Sequence, residues 1–146
     1  MFIVDDMMTR HPHTLSPEHT LADAHTLMSA ERFRHLPVVD DAQRLVGLVT
    51  QRDVLSAQAS SLGKATNGDN EMNTPLSHFA HRQLVTVDPG ASLRAAALTM
   101  LERKIGCLPV IKNQKLVGII TDSDFVAIAS TLLEIQEETE PMEADE

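Results

Sequence analysis

The chain has 146 residues, 42% of them apolar and 23% charged, which is the usage of one ordinary globular domain or of two very small ones. Its formal charge of −9 is unevenly spread: seven of the 21 acids fall in residues 134–146, while the rest carries 14 acids against 12 bases. An acidic tail is repelled by phosphate backbones, and a chain without Trp or Tyr lacks platforms for stacking bases, so both features argue against nucleic-acid binding.

A single cysteine, Cys107, rules out an internal disulfide. Apolar runs such as residues 116–120 and 126–129 fall far short of the about 20 residues that span a bilayer. The first residues carry no basic stretch and no long apolar stretch, so no secretory signal is expected. The expectation is a soluble, cytoplasmic protein with no membrane partner.

In chain order, Pro17 opens a turn, and Thr20-x-x-Asp23 predicts a capped helix start. Leu21, Ala24, Leu27 and Met28 then recur at helical spacing. A β-type run over residues 35–39, a polar turn over 40–44 and a second run over 45–50 predict a hairpin. A helix should follow from about Gln51. Residues 56–70, rich in Ala, Ser, Gly and Asn, read as a frayed helix end and a flexible linker.

The same order then returns. Thr14-Leu15-Ser16-Pro17 recurs as Thr86-Val87-Asp88-Pro89, and Leu36-Pro37-Val38-Val39 as Leu108-Pro109-Val110-Ile111, both at an offset of 72. Leu45-Val46-Gly47-Leu48-Val49-Thr50 recurs as Leu116-Val117-Gly118-Ile119-Ile120-Thr121 at 71, because the turn over residues 112–115 is one residue shorter. Asp53 matches Asp124, and Met8-Thr9 is paired with Asn73-Thr74. Ser92 caps the second copy's helix, whose apolar face holds Leu93, Ala96, Ala97 and Met100. The chain is therefore a tandem duplication of a strand–helix–strand–strand–helix unit. Repeat 1 is assigned to residues 1–57, the linker to 58–70, repeat 2 to 71–133, and an acidic, disordered tail to 134–146.

A Leu-Pro-Val segment, a Leu-Val-Gly strand and a Thr-x-x-Asp ending, all duplicated in register, resemble a CBS domain pair, or Bateman module, over roughly residues 4–130. The resemblance implies an α/β (α+β) fold in which two three-stranded sheets pack with pseudo-twofold symmetry and leave two clefts. It also implies a regulatory module rather than an enzyme, commonly a homodimer, whose clefts bind AMP, ADP, ATP or, in some members, S-adenosylmethionine. No cofactor is required; an adenine nucleotide is the regulatory ligand. The regulated protein partner is not written in the chain.

Chemistry supports part of this independently. A carboxylate can accept the two adjacent hydroxyls of a ribose, and a helix start with a Thr hydroxyl suits a phosphate. By the resemblance, Asp53 and Asp124 take the ribose, with Thr50 and Thr121 lining the same corners. The plainer reading of Thr-x-x-Asp is a capping box, and the two roles are compatible. Basic residues before the Leu-Pro-Val segment are implied to reach phosphates. Repeat 1 has Arg34 and His35 there, whereas repeat 2 has Gly106 and Cys107. The expectation is one dominant site, in which Arg34 and His35 serve Asp124. The cleft at Asp53 lacks positive charge unless Arg52, Lys104 or a dimer partner supplies it. Thr14 and Thr86 are implied to present backbone to the adenine edge, and Pro37 and Pro109 to wall the base.

Other chemistry is weaker. His11-x-His13, His19, His78 and His81 are scattered through polar segments without reinforcing ligands, so solvated side chains are expected rather than a metal site. Cys107 precedes an apolar strand, where a thiol behaves as a small hydrophobe. No glycine-rich phosphate loop and no catalytic elbow occurs. The alternatives are a dimeric interaction module whose clefts bind nothing, and an S-adenosylmethionine binder.

Overall fold

Each repeat is built on a hairpin backed by a capped helix. The computed structural model describes residues 1–61, 71–80 and 83–140. In repeat 1, α2 (Leu21–Glu31) starts at Thr20, whose hydroxyl accepts the Asp23 N–H while the Asp23 carboxylate accepts the Thr20 N–H. In repeat 2, α4 (Leu93–Arg103) starts at Ser92, which accepts from the Ala95 N–H. Leu21, Ala24 and Met28 of the first helix and Leu93, Ala96 and Met100 of the second are buried, as the helical spacing predicts. Both helices stop on a left-handed residue, Arg32 (φ 59°) or Lys104 (φ 55°).

The hairpins form as expected. In repeat 1, β2 (His35–Val39) pairs antiparallel with β3 (Leu45–Thr50); in repeat 2, β4 (Cys107–Lys112) pairs with β5 (Lys115–Thr121). Both carry a register shift at equivalent places, Val38/Val39 and Val110/Ile111. The first strand of each unit is shorter than anticipated, reduced to one parallel bridge, Leu15 to Val38 or Val87 to Val110. Two backbone bonds hold each bridge: the Leu15 N–H donates to the Pro37 carbonyl and the Val39 N–H to Leu15, repeated by Val87, Pro109 and Ile111. The third strand of the second sheet comes instead from the chain's start, where β1 (Thr9–Arg10) pairs antiparallel with β5. The result is one three-stranded sheet and one two-stranded sheet among the described residues, in a mixed α/β tandem fold.

The leading segments cross over. Val4, in the short helix α1 (Val4–Met7), is fully buried in the core of repeat 2 beside Leu93, Leu108, Val110 and Ile120. Its N–H donates to the Ala91 carbonyl at 2.9 Å. Leu76, in a 3-10 turn (Leu76–Phe79) leading repeat 2, is fully buried in the core of repeat 1 and donates to the His19 carbonyl at 2.7 Å. Val4 and Leu76 are thus the equivalent residues, 72 apart, which replaces the pairing of Met8-Thr9 with Asn73-Thr74. The glycines of the repeated Leu-Val-Gly strand make room for these segments. A Cβ on Gly47 would lie 2.8 Å from the Phe79 carbonyl oxygen, and one on Gly118 would lie 2.5 Å from the Met8 sulfur and 2.9 Å from the Thr9 oxygen.

Two boundaries shift. Helix α3 (Gln51–Ser61) takes in residues 58–61 of the expected linker, the remainder of which, 62–70, lies outside the described residues. Helix α5 (Asp122–Thr139) continues through residues 134–139, which were assigned to a disordered tail. The segment after Ala129 supplies Leu132, Leu133, Ile135, Gln136 and Glu side chains, all good helix formers or tolerated ones, so the helix propagates past the domain body. Residues 141–146 lie outside the described ones. No helix among the described residues is long and apolar enough to cross a membrane.

Because Leu76 belongs to one repeat by sequence and to the other by packing, Leu76→Ala should cost about 2–5 kcal/mol. Unfolding followed by calorimetry should remain one transition in wild type and variant alike. Two resolved transitions, one per repeat, would contradict the exchange of core residues.

Candidate functional site

Strand β3 runs directly into α3, and β5 into α5, so each Thr-x-x-Asp lies on a sharp strand-to-helix corner. At the first corner, Asp53 Oδ2 accepts the Thr50 N–H (2.8 Å) and the Thr50 hydroxyl (3.1 Å), and Thr50 Oγ1 accepts the Asp53 N–H (3.2 Å). At the second, Asp124 Oδ2 accepts the Thr121 N–H (2.8 Å) and hydroxyl (3.2 Å). The capping role is therefore present at both corners, and it engages one oxygen of each carboxylate. Oδ1 of each remains outside the cap, so capping and accepting a ligand hydroxyl are compatible.

Each corner opens on a cavity. The first, about 310 Å³, is lined by Thr121, Asp122 and Ser123 of the second corner, by Thr9 and residues 11–13 of the leading segment, by Ile119, and by residues 32–35. The second, about 710 Å³, is lined by Thr50 and Asp53 with Gln51 and Arg52, by residues 83–85 and 104–107, and by Leu48 and Leu55. Arg34, His35 and Asp122 line both. Both volumes lie in the range of small-molecule sites. The two cavities repeat one plan at the repeat's offsets of 72 and 71: Pro12 and Leu84, Phe33 and Ile105, and Leu48 and Ile119 form equivalent apolar walls, and Arg32 and Lys104 occupy equivalent left-handed helix ends. In the first cavity His13 stacks on Phe33 with ring centroids 5.4 Å apart.

Of the sequence-derived residues, the structure brings Thr121, Arg34 and His35 to the first cavity and Thr50 and Asp53 to the second. Asp124 caps the corner of the first but lines neither cavity. Thr14, Pro37, Thr86 and Pro109 line neither cavity: the two prolines are fully buried in the hairpins, Thr14 is half-buried and Thr86 is exposed. The apolar walls of the cavities lie a few residues earlier, at Pro12 and Leu84, and just before the hairpins, at Phe33 and Ile105. Extending the 72-residue offset into these irregular segments would have found them. The second cavity does not lack cations, because Arg52 and Lys104 both line it and Arg34 reaches it.

The wall between the cavities is asymmetric. Arg34 Nη2 lies 3.3 Å from the Ser123 hydroxyl oxygen, to which it donates, and 3.7 Å from Asp122 Oδ1. Opposite stands Gly106, where a Cβ would sit 3.0 Å from Asp122 Oδ2 and 3.3 Å from His35 Nε2. Burial lowers the His35 pKa below its ordinary 6.5; Asp122 pulls it up and Arg34 pushes it down. Burial drives the Cys107 thiol up to about 12, with Asp122 and Asp124 adding to the rise. A nucleophilic thiolate is disfavoured in that setting. No cluster of metal-ligating side chains occurs among the described residues.

The CBS domain family matches residues 4–60 and 76–130. A Vibrio cholerae structure named for acetoin utilization (AcuB) is 52% identical, covers 97% of this chain and 99% of that one, and superposes with a TM-score of 0.80. CBSX2, solved in complex with AMP, is 29% identical, with 91% and 99% of the chains covered and a TM-score of 0.76. The chain also matches two longer uncharacterized proteins of Methanocaldococcus jannaschii, at 32% identity over 92 residues and 33% over 135, and spans about a third of their length (30% and 32%). The chain belongs to the CBS domain family.

Two measurements check the electrostatics of this wall. A histidine whose pKa is lowered by folding binds fewer protons in the native than in the unfolded state. Its neutral form therefore stabilises the fold fully above pH 6.5, and that contribution is lost as pH falls toward the native pKa. The melting temperature should drop on acidification below 6.5 more steeply in wild type than in His35→Gln; equal slopes would contradict the assignment. The Cys107 thiol should resist a disulfide-exchange reagent at pH 8 until denaturant is added, and rapid modification of the native protein would show it to be exposed.

Proposed function

We infer that the chain is a regulatory module, not a catalyst, that binds an adenosine-containing ligand between its two repeats, with the dominant site at the first cavity. The observation that carries this reading is the convergence, on one cavity, of the helix start at Thr121, Asp122 and Ser123, an apolar slot and a guanidinium, with Asp124 capping that same corner through one oxygen only. Asp124 Oδ1 accepts the ribose hydroxyls, Phe33, Pro12 and Ile119 flank the base, and Arg34 and Arg32 meet the phosphate. The family's CBSX2 structure with AMP supports the ligand class. The first cavity is favoured because it is the smaller and because Arg34 is turned toward its helix start. Asp53 and Thr50 form the second, weaker site. Binding acts on a partner by favouring one arrangement of the repeats over another, which requires unequal affinity for the two.

A second reading is favoured by one feature. Val126, Leu132, Leu133 and Ile135 of α5 are between 50 and 69% exposed, more apolar surface than a lone helix end needs. A module acting through this surface, as a homodimer or on another protein, would need no ligand.

Dye-monitored thermal unfolding separates the two. With AMP, ADP, ATP or S-adenosylmethionine at about 100 times its Kd, the ligand should add about 2.7 kcal/mol of stability. Asp124→Ala should remove most of the shift and Asp53→Ala little of it. No shift with any of the four at millimolar concentration would leave the interaction module standing; loss of the shift in Asp53→Ala alone would move the dominant site to the second cavity.

A further inference from the structure

The duplication leaves each cavity with its own corner, its own apolar walls and its own helix-end cation, but the wall between the cavities exists once. Arg34, His35 and Asp122 line both. Their repeat counterparts contribute no charge, since Arg34 corresponds to Gly106, His35 to Cys107 and Asp122 to Gln51. Among the described lining residues the first cavity holds Arg32 and Arg34 against Asp122, and the second holds Arg34, Arg52 and Lys104 against Asp53 and Asp122, a net +1 in each. Arg34 and Asp122 are each counted in both, and Asp122 faces both wherever the guanidinium goes. Committed to one cavity, Arg34 leaves the other with a net charge of zero.

Resting on the nucleotide reading above, we propose that the two cavities are antagonistically coupled through Arg34: an anionic ligand in one withdraws the shared guanidinium from the other, so the second phosphate-bearing ligand binds more weakly than the first. A guanidinium offers a planar fork of donors that can satisfy one phosphate at a time. Arg34 donates to Ser123, which lines only the first cavity, so its default engagement is there. An uncharged ligand makes no demand on it. The antagonism therefore belongs to the phosphate and is absent for adenosine. The module then reports phosphate-bearing ligand in two concentration ranges instead of one. A coupling of about tenfold is within the ordinary range for linked sites.

Calorimetric titration of the full chain with AMP and with adenosine tests this, on wild type, Thr9→Trp, Arg34→Gln and the double variant. Thr9 is exposed on β1 and lines only the first cavity, so an indole there blocks that cavity and spares the wall. Asp124→Asn serves as a second way of weakening the first cavity. Wild type should bind AMP in two steps. With the first cavity blocked, the remaining cavity should bind AMP about tenfold more tightly than the second step in wild type. Adenosine should show no such gain, and Arg34→Gln should abolish the gain for AMP. One AMP per chain in both wild type and Thr9→Trp, rising to two in Arg34→Gln, would be the limit of strong antagonism and also supports the proposal; one AMP in all three would overturn it, because AMP would then occupy the second cavity alone. Two AMP steps whose second affinity is untouched by blocking would overturn the coupling while leaving the nucleotide reading intact. One AMP in wild type and none in Thr9→Trp would also overturn it, because the second cavity would then be inert. Failure of both ligands to bind wild type would overturn the nucleotide reading and the coupling with it.

Discussion

Each hydrophobic core is closed by a residue from the other repeat, and the placement of everything else depends on that exchange. Val4 and Leu76 are both fully buried, each in the core its own repeat does not form. A repeat of this size is marginal on its own, and the crossing segments make each core depend on the other repeat. The segments pass so close to β3 and β5 that only glycine fits, at Gly47 and Gly118, where any Cβ would meet backbone or sulfur at 2.5–2.9 Å. The crossing also fixes the clefts. β1 lies on β5 and carries the chain into residues 11–13, which wall the first cavity, so the same contact that closes a core lays a cavity wall beside the Thr121 corner.

The repeat is most faithful where it builds the framework and least faithful where the two halves meet. Caps, hairpins, register shifts and left-handed helix ends recur almost residue for residue. At the central wall, Arg34 and His35 face Gly106 and Cys107. The small residues there are not neutral substitutions: Gly106 leaves the space into which the Asp122 carboxylate and the His35 ring project. A guanidinium at that place would crowd both. The asymmetry at this wall is matched by close packing, and any functional difference between the two cavities begins there.

Much of the framework was legible in the sequence because it follows local rules with strict periods. Thr20, Ser92 and the two Thr-x-x-Asp corners announced helix starts, and the Leu-Pro-Val and Leu-Val-Gly runs announced hairpins. The first strands, expected from Thr14 and Thr86, shrank to single bridges because Pro17 and Pro89 turn the chain almost at once. The crossing segments escaped because a fully buried Val4 or Leu76 has no periodic neighbours to reveal which core it enters. The same holds for the cleft walls. Pro12, Phe33, Leu84 and Ile105 sit in irregular chain, where only tertiary packing decides what they face. The acidic end read as disordered from its composition, yet residues 134–139 continue α5, since helix already nucleated upstream propagates through Glu and Gln at little cost.

The most direct measurement is an amide NMR titration of the full chain with AMP. Occupation of the first cavity should shift the amides of Thr9, His11, His13, Arg34, His35 and the 121–124 corner at low ligand ratio. The amides of Thr50, Asp53, Gln83 and Ile105 should follow only at higher ratio. Shifts confined to the exposed face of α5, or none at all, would contradict a ligand site between the repeats.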